Sequence, residues 1–267
     1  MSFMLMALFM LRHIGRASSF HAAFDKQISR AYRTNSKKWD AAAIEHDANT
    51  NTTLQPVLIS IEGNIGAGKT TLLERLGSKH PEWIFISEPV DTWASIVNDE
   101  GKSILQVFYE DRKRWSYTFQ NCALLTRYQC IESAIEQAKE ANRTGKVVFL
   151  TERCLDTDYH VFTKMLMSEG SIDKLEHNLY ERLLAQLRST ATPLSAIVHV
   201  NTIPTVCAER IKKRSRIGEG NIPLNYLESL NRYQREWIET SSVPSISSDC
   251  DFVDISDIET FIENLQM

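Results

Sequence analysis

Gly63-Asn64-Ile65-Gly66-Ala67-Gly68-Lys69-Thr70 decides how this chain is read. The octet satisfies G-x-x-x-x-G-K-[ST], and it lies between a β-branched run, Val57 to Glu62, and a helical pattern from Lys69 to Leu76. Strand, loop and helix in that order are the context the pattern requires. Glycines let the backbone turn its N–H groups onto an anion, and the helix start adds positive partial charge. Lys69 is placed to reach β and γ phosphates, and Thr70 to ligate Mg²⁺.

Outward from the octet, strands and helices alternate. Trp83 to Ser87 reads as a second strand, followed by the turn signal Glu88-Pro89. Ser103 to Asn142 has no proline and carries apolar residues at helical spacing, which predicts one long helix. Val147 to Leu150 and Ala196 to Val200 read as strands, and Phe252 to Ile255 as a fifth. Helices are predicted over Tyr159 to Met167, Ile172 to Leu187, Pro204 to Lys213, Leu224 to Glu239 and Ile258 to Leu265. The expected fold is α/β, a five-stranded parallel sheet flanked by helices.

In such a sheet, ligands gather at the carboxyl ends of the strands. Glu88 after the second strand and Glu152-Arg153 after the third should therefore meet the phosphate loop. There Glu88 could accept a hydroxyl proton, Glu152 could hold Mg²⁺, and Arg153 could offset charge on a transferring phosphoryl group. The basic run Arg210-Ile211-Lys212-Lys213-Arg214-Ser215-Arg216, followed by Gly218 and Gly220, reads as a short lid over phosphates.

The 267 residues carry a net charge of −4, unevenly spread. Residues 1–51 hold seven Lys/Arg against four Asp/Glu, which leaves the remainder at −7. An acidic body argues against broad nucleic-acid binding. Five cysteines without a C-x-x-C pair suggest neither a disulfide framework nor a zinc site. No apolar run reaches the roughly 20 residues of a membrane-spanning helix, so no integral membrane association is expected. Arg12, Arg16, Arg30 and Arg33 lie among serines, with no acidic residue before Asp25. That composition is typical of an organelle import peptide, so residues 1–52 are expected to be a targeting or disordered extension and 53–267 the folded domain. Mitochondrial residence is expected, with the cytoplasm as the alternative.

With these motifs in order, the chain resembles the deoxyribonucleoside kinase family over about residues 55–240, as a deoxycytidine/deoxyguanosine kinase-like member related to mitochondrial thymidine kinase. The resemblance rests on the octet, Glu88-Pro89-Val90 with Trp93, Tyr109, Trp115, Phe119-Gln120, Glu152-Arg153, and Ile222-Pro223-Leu224 with Tyr226-Leu227. It implies a P-loop kinase fold, a homodimer, and transfer of the ATP γ-phosphoryl to a deoxynucleoside 5′-hydroxyl in nucleotide salvage. It also implies that Glu88 is the general base with Arg153 as its partner, and that Tyr109 and Glu219 hold the 3′-hydroxyl. Gln120 would bond the base between the walls Trp93, Phe119 and Phe162, and Arg210, Arg214 and Arg216 would be the lid arginines. Independently, residues 109, 116, 120, 123 and 127 share a helical face, so Tyr109, Gln120 and Arg127 can line one side of a pocket.

Members accepting deoxycytidine and deoxypurines resemble this chain at Ala123, Arg127 and Asp158. Asp158 can accept from an exocyclic amino group and Arg127 can donate to ring or carbonyl acceptors, whereas thymine presents a carbonyl oxygen to that carboxylate. A thymidine-type or broad specificity is the alternative. Cys154 stands where the family has serine, and Tyr159 where an arginine is common. Asp156 is a further carboxylate that could compete for Arg127. A non-catalytic accessory subunit of mitochondrial complex I resembles this family too, but Lys69, Thr70, Glu88 and Arg153 are all present here. A nucleoside monophosphate kinase is a further rival, which Tyr109 and Glu219 oppose by pointing to free sugar hydroxyls.

Overall fold

A computed structural model describes residues 53–216, 219–220, 222–249 and 255–266. The extension 1–52 lies outside the described residues. The sheet runs in the order β2-β3-β1-β4-β5, and every pairing is parallel. Its centre is β1 (Leu54–Gly63), buried continuously from Val57 onward because both faces are covered. Ile59 pairs with Leu150 of β3 (Gly145–Glu152) on one side and with Ala196 of β4 (Leu194–Asn201) on the other. The short β2 (Ile84–Ile86) borders β3.

The helix after the phosphate loop, α1, spans Lys69–Lys79. Then come α2 (Val90–Ser95), α3 (Ile104–Glu110) and α4 (Arg112–Glu140). The expected single helix from Ser103 is thus two. Asp111, at φ −142°, ends the first by donating its N–H to the Val107 carbonyl, and starts the second by accepting from the Arg114 N–H at 3.1 Å. One short acidic side chain serves both helix ends. Tyr109 consequently lies on a different helix from Gln120 and Arg127, which corrects the expectation of one shared face.

After β3, the segment α5 (Leu155–Thr157), a π-helical turn Asp158–Thr163 and α6 (Lys164–Ser168) occupy the stretch predicted as one helix. Single π-turns inside helices occur often at functional sites. They are followed by α7 (Lys174–Arg188), α8 (Pro204–Arg214), α9 (Leu224–Thr240) and α10 (Ser256–Gln266). The fifth strand, β5, is Ser245–Asp249 and pairs Val198 with Ile246. The strand expected at Phe252–Ile255 lies outside the described residues at 252–254, and Ile255 precedes α10 as a buried core residue. Apolar content does not reveal Ser245–Asp249, because a half-exposed edge strand can be held by its ladder of backbone hydrogen bonds with few buried side chains.

Gly63 at φ +150° and Gly66 at φ +78° bring the loop against its neighbours; an added Cβ would lie 2.8 Å from the Val200 carbonyl oxygen at the first and 2.8 Å from that of Cys207 at the second. Gly170 shares a positive φ of +72° but faces open space. Gly66→Ala is therefore expected to cost about 1–3 kcal/mol and to lower the Tm by roughly 3–10 °C. Thermal unfolding alongside Gly170→Ala checks this, since equal losses would show that backbone conformation alone matters at position 66.

Candidate active site

The ends of β1, β2 and β3 converge as the topology requires. A pocket partly open to solvent, with about 590 Å³ of atom-free space, is bounded by Ile65, Gly66 and Lys69 at the loop and by Glu88, Glu152 and Arg153 at the strand ends. Trp93, Tyr109, Phe119, Gln120, Ala123, Arg127, Asp158 and Phe162 line the remainder, with Arg214, Arg216 and Glu219 on the lid side. Every residue expected at the substrate is therefore in one cavity.

Within the loop, the Ala67 N–H donates to the Asn64 carbonyl at 3.1 Å, and Asn64 Nδ2 donates to the Leu227 carbonyl at 2.8 Å. These bonds fasten Gly63-Asn64-Ile65-Gly66-Ala67-Gly68 to α9. Lys69 is buried, with Nζ bonded to the Asn64 carbonyl at 2.9 Å and 3.6 Å from Glu152 Oε1. Burial, with the nearby Arg153 charge, pulls the ammonium below its ordinary pKa, against the opposing pull of Glu152 and Glu88. Thr70 Oγ1 donates to Glu152 Oε2 at 2.9 Å.

Arg127 organises the far side. Its Nε donates to Asp158 Oδ2 at 3.0 Å, Nη1 to the Glu152 carbonyl at 2.8 Å, and Nη2 to Glu88 Oε1 at 3.3 Å. Burial works against the guanidinium charge, but Asp158 and Glu88 more than restore it. Asp156, a possible competitor, instead pairs with Arg188, and Tyr159 turns outward to donate to Glu181 at 2.7 Å. Cys154 accepts the serine position as a buried thiol against Thr157, and burial raises its pKa well above the usual thiol range.

Arg153 closes the site in a left-handed backbone conformation, φ +68°. Its N–H bonds the Ile61 carbonyl at 3.2 Å, and its own carbonyl accepts from Thr151 Oγ1 at 2.9 Å. Strain of this kind persists only where its surroundings impose it. The turn aims the guanidinium back over the Phe162 ring, 4.9 Å from its centroid, with Nε 3.3 Å from Glu88 Oε1. Burial alone would raise the Glu88 pKa; Arg153, Arg127 and Lys69 together hold it below the usual carboxylate value.

The walls are aromatic. Trp93 meets Phe119 edge-on at 5.2 Å, and its indole N–H donates to Thr126 Oγ1 at 2.9 Å. Gln120 is buried between them, and its Oε1 has no partner. Burial of Tyr109 raises its phenol well above the usual value. Glu219 is buried on the lid side, gripped by Arg214 and by Arg216 Nη1 at 3.1 Å. Arg210 departs from the expected set, since it does not line this pocket but donates to the Ala67 carbonyl at 2.9 Å, behind the loop. Val90, Leu105 and Phe108 are walls that motif reading missed. Leu105 stands one helical turn before Tyr109, so helical spacing was the available signal for it, and Phe108 directly precedes Tyr109 in sequence.

A strand-loop-helix phosphate cradle joined to a carboxylate and two guanidinium groups at an enclosed apolar slot defines a P-loop phosphotransferase acting on a small acceptor. The deoxynucleoside kinase family model matches residues 59–266, and the chain belongs to that family. A Gallus gallus protein named deoxycytidine kinase 2 is 36% identical over 196 residues, covering 67% of this chain and 73% of its own. The human deoxycytidine kinase is 32% identical, covering 67% and 74%. A Xenopus laevis mitochondrial deoxyguanosine kinase is 29% identical over 209 residues, covering 73% and 78%. The chain is thus an ATP-dependent deoxynucleoside kinase, and this reading holds over that of a non-catalytic respiratory subunit.

Arg127→Gln removes one of the cations that depress the Glu88 pKa. The Glu88 carboxyl is expected to titrate at higher pH in the variant than in the parent, as followed by carbon NMR of labelled glutamate. A fall would contradict the assigned cause.

Proposed function

We propose that the enzyme phosphorylates the 5′-hydroxyl of deoxycytidine or a deoxypurine nucleoside, and that the observation carrying this preference is the polar trio Gln120, Arg127 and Asp158 inside an otherwise aromatic slot. Gln120 Oε1, an orphan acceptor, suits an amino or ring N–H donor on the base. The Arg127–Asp158 pair offers donor and acceptor atoms side by side, and Asp158 disfavours a carbonyl oxygen placed against it. Trp93, Phe119 and Phe162 supply the stacking walls, and Ala123 leaves room for the ring. Tyr109 and Glu219 face the sugar 3′-hydroxyl.

Glu88 accepts the 5′-hydroxyl proton as that oxygen bonds to the γ-phosphorus, and the bond to ADP breaks. A depressed pKa makes Glu88 a weak base, which suits phosphoryl transfer, where positioning and charge stabilisation supply most of the acceleration. Arg153 and Lys69 stabilise charge on the transferring group. The octet cradles the phosphates, Arg214 and Arg216 close over them, and Arg210 stiffens the loop from behind. Mg²⁺ suits the residues present: the Thr70 hydroxyl and Glu152 carboxylate already adjoin, and hard oxygens are its preferred ligands. When bound, it offsets phosphate charge.

Exposed Leu125 on α4 and Leu175 and Leu179 on α7 support a homodimer as the working state. The basic extension 1–52 supports mitochondrial import, with 53–267 as the kinase domain.

Phosphate transfer from ATP to each of the four deoxynucleosides tests the preference, which fails if thymidine is favoured more than tenfold over the other three. Glu88→Gln is expected to lower kcat by about 10²–10⁴-fold. Full retention of kcat would remove Glu88 from the role of base.

A further inference from the structure

Glu62 is the last residue before the phosphate loop, wholly buried, and has no part in the chemistry described so far. A carboxylate in such a place is costly unless its lone pairs are satisfied and its charge is balanced. Its oxygens accept from three neutral donors on three segments: Ser60 Oγ on β1 and Thr157 Oγ1 on α5, both at Oε1, and Gln234 Nε2 on α9 at Oε2, 3.1 Å away. Those segments carry, in turn, the phosphate loop, the Glu152-Arg153 turn with Asp158, and the helix that follows the lid.

The β1–β3 ladder ends by pairing Ile61 with Glu152, so Glu62 and Arg153 are the next residues across it. The Arg153 N–H still bonds the Ile61 carbonyl. Arg153 therefore neighbours Glu62 through the backbone, while its side chain lies against Glu88 within the site. Toward Glu88 its Nε comes to 3.3 Å, yet this nitrogen has no aligned hydrogen-bond partner. The charge of Glu62 also reaches this guanidinium, without the close contact that Glu88 makes.

We infer that Glu62 is a positioning residue for phosphoryl transfer: a buried counter-charge that keeps Arg153 from collapsing onto Glu88 and holds the phosphate loop, the Arg153 turn and the post-lid helix in one register. Burial raises the Glu62 pKa, and the Arg153 charge is the strongest of the influences that oppose it, ahead of the Ser60 and Thr157 hydrogen bonds and the Lys69 charge. Without the Glu62 charge, Arg153 would bind Glu88 fully, so that neither group would be free for the acceptor hydroxyl or the γ-phosphoryl. Binding of the base and of the donor phosphates uses other contacts. This inference rests on the roles proposed above for Glu88 and Arg153.

Glu62→Gln keeps the shape and removes the charge, whereas Gln234→Met keeps the charge and removes a hydrogen bond from the same cluster. Steady-state kinetics on the full chain are expected to show kcat at least tenfold lower in Glu62→Gln, with KM for ATP and for deoxynucleoside within threefold of the parent. Gln234→Met should lose less than threefold in kcat. If Glu62→Gln retains kcat within twofold, or if both variants lose kcat equally, Glu62 is a structural residue and the inference is overturned. If Glu62→Gln does not fold, the double exchange Glu62→Gln with Gln234→Glu decides, since it keeps one anion in the cluster but moves it onto α9: kcat at least tenfold lower at KM within threefold is expected, and kcat within twofold of the parent overturns the inference. Glu88→Gln is measured alongside: its failure to lower kcat would overturn the underlying base assignment, while loss there with no loss in Glu62→Gln would overturn this inference alone.

Discussion

Arg127 places each arm of its guanidinium on a different segment: the carboxylate after β2, the carbonyl that ends β3, and the carboxylate that opens the π-turn. Each of those segments carries a group proposed for the reaction. A buried cation satisfied on all sides is costly to disturb, because loss of any partner leaves a desolvated charge behind. The position of Asp158, proposed to read the base, is thereby linked to that of Glu88, the proposed general base. Shape and chemistry of the pocket are set together.

The layout follows from the first strand. β1 runs between β3 and β4, and its glycine-bearing end can approach the carbonyls of Val200 and Cys207 only because no side chain intervenes. The phosphate loop is thereby wedged between the sheet and α8, which continues into the lid. The Asn64 amide adds a tie to α9 on the opposite side. The loop is held from both flanks before any phosphate arrives, so little ordering remains to be done on binding.

Motif and topology made the octet, Glu88, Glu152 and Arg153 legible, since a parallel sheet has one end at which its strands can present ligands. Tyr109, Gln120 and Asp158 were legible through family resemblance. Three things were not. The break at Asp111 was hidden because apolar spacing continues across it, and a single aspartate that caps two helices looks, in one dimension, like a charged surface residue. The edge strand Ser245–Asp249 buries little, so it leaves almost no hydrophobic signature. Arg210 was grouped with the other basic residues of α8, yet the helix turns it toward the Ala67 carbonyl, a direction that composition cannot encode.

The interruption at Asp111 has a consequence for how such a pocket can change. Tyr109, proposed to hold the sugar, lies in the last turn of one short helix, while Gln120, Ala123 and Arg127, proposed to meet the base, belong to a long one that begins afresh. In a continuous rod, altering the pitch or tilt to admit a larger ring would carry the sugar contact with it. With a joint between them, the two ends are mechanically separable modules. The base end can be remodelled through substitutions along α4 while the grip on deoxyribose, and hence the placement of the 5′-oxygen, stays where it was.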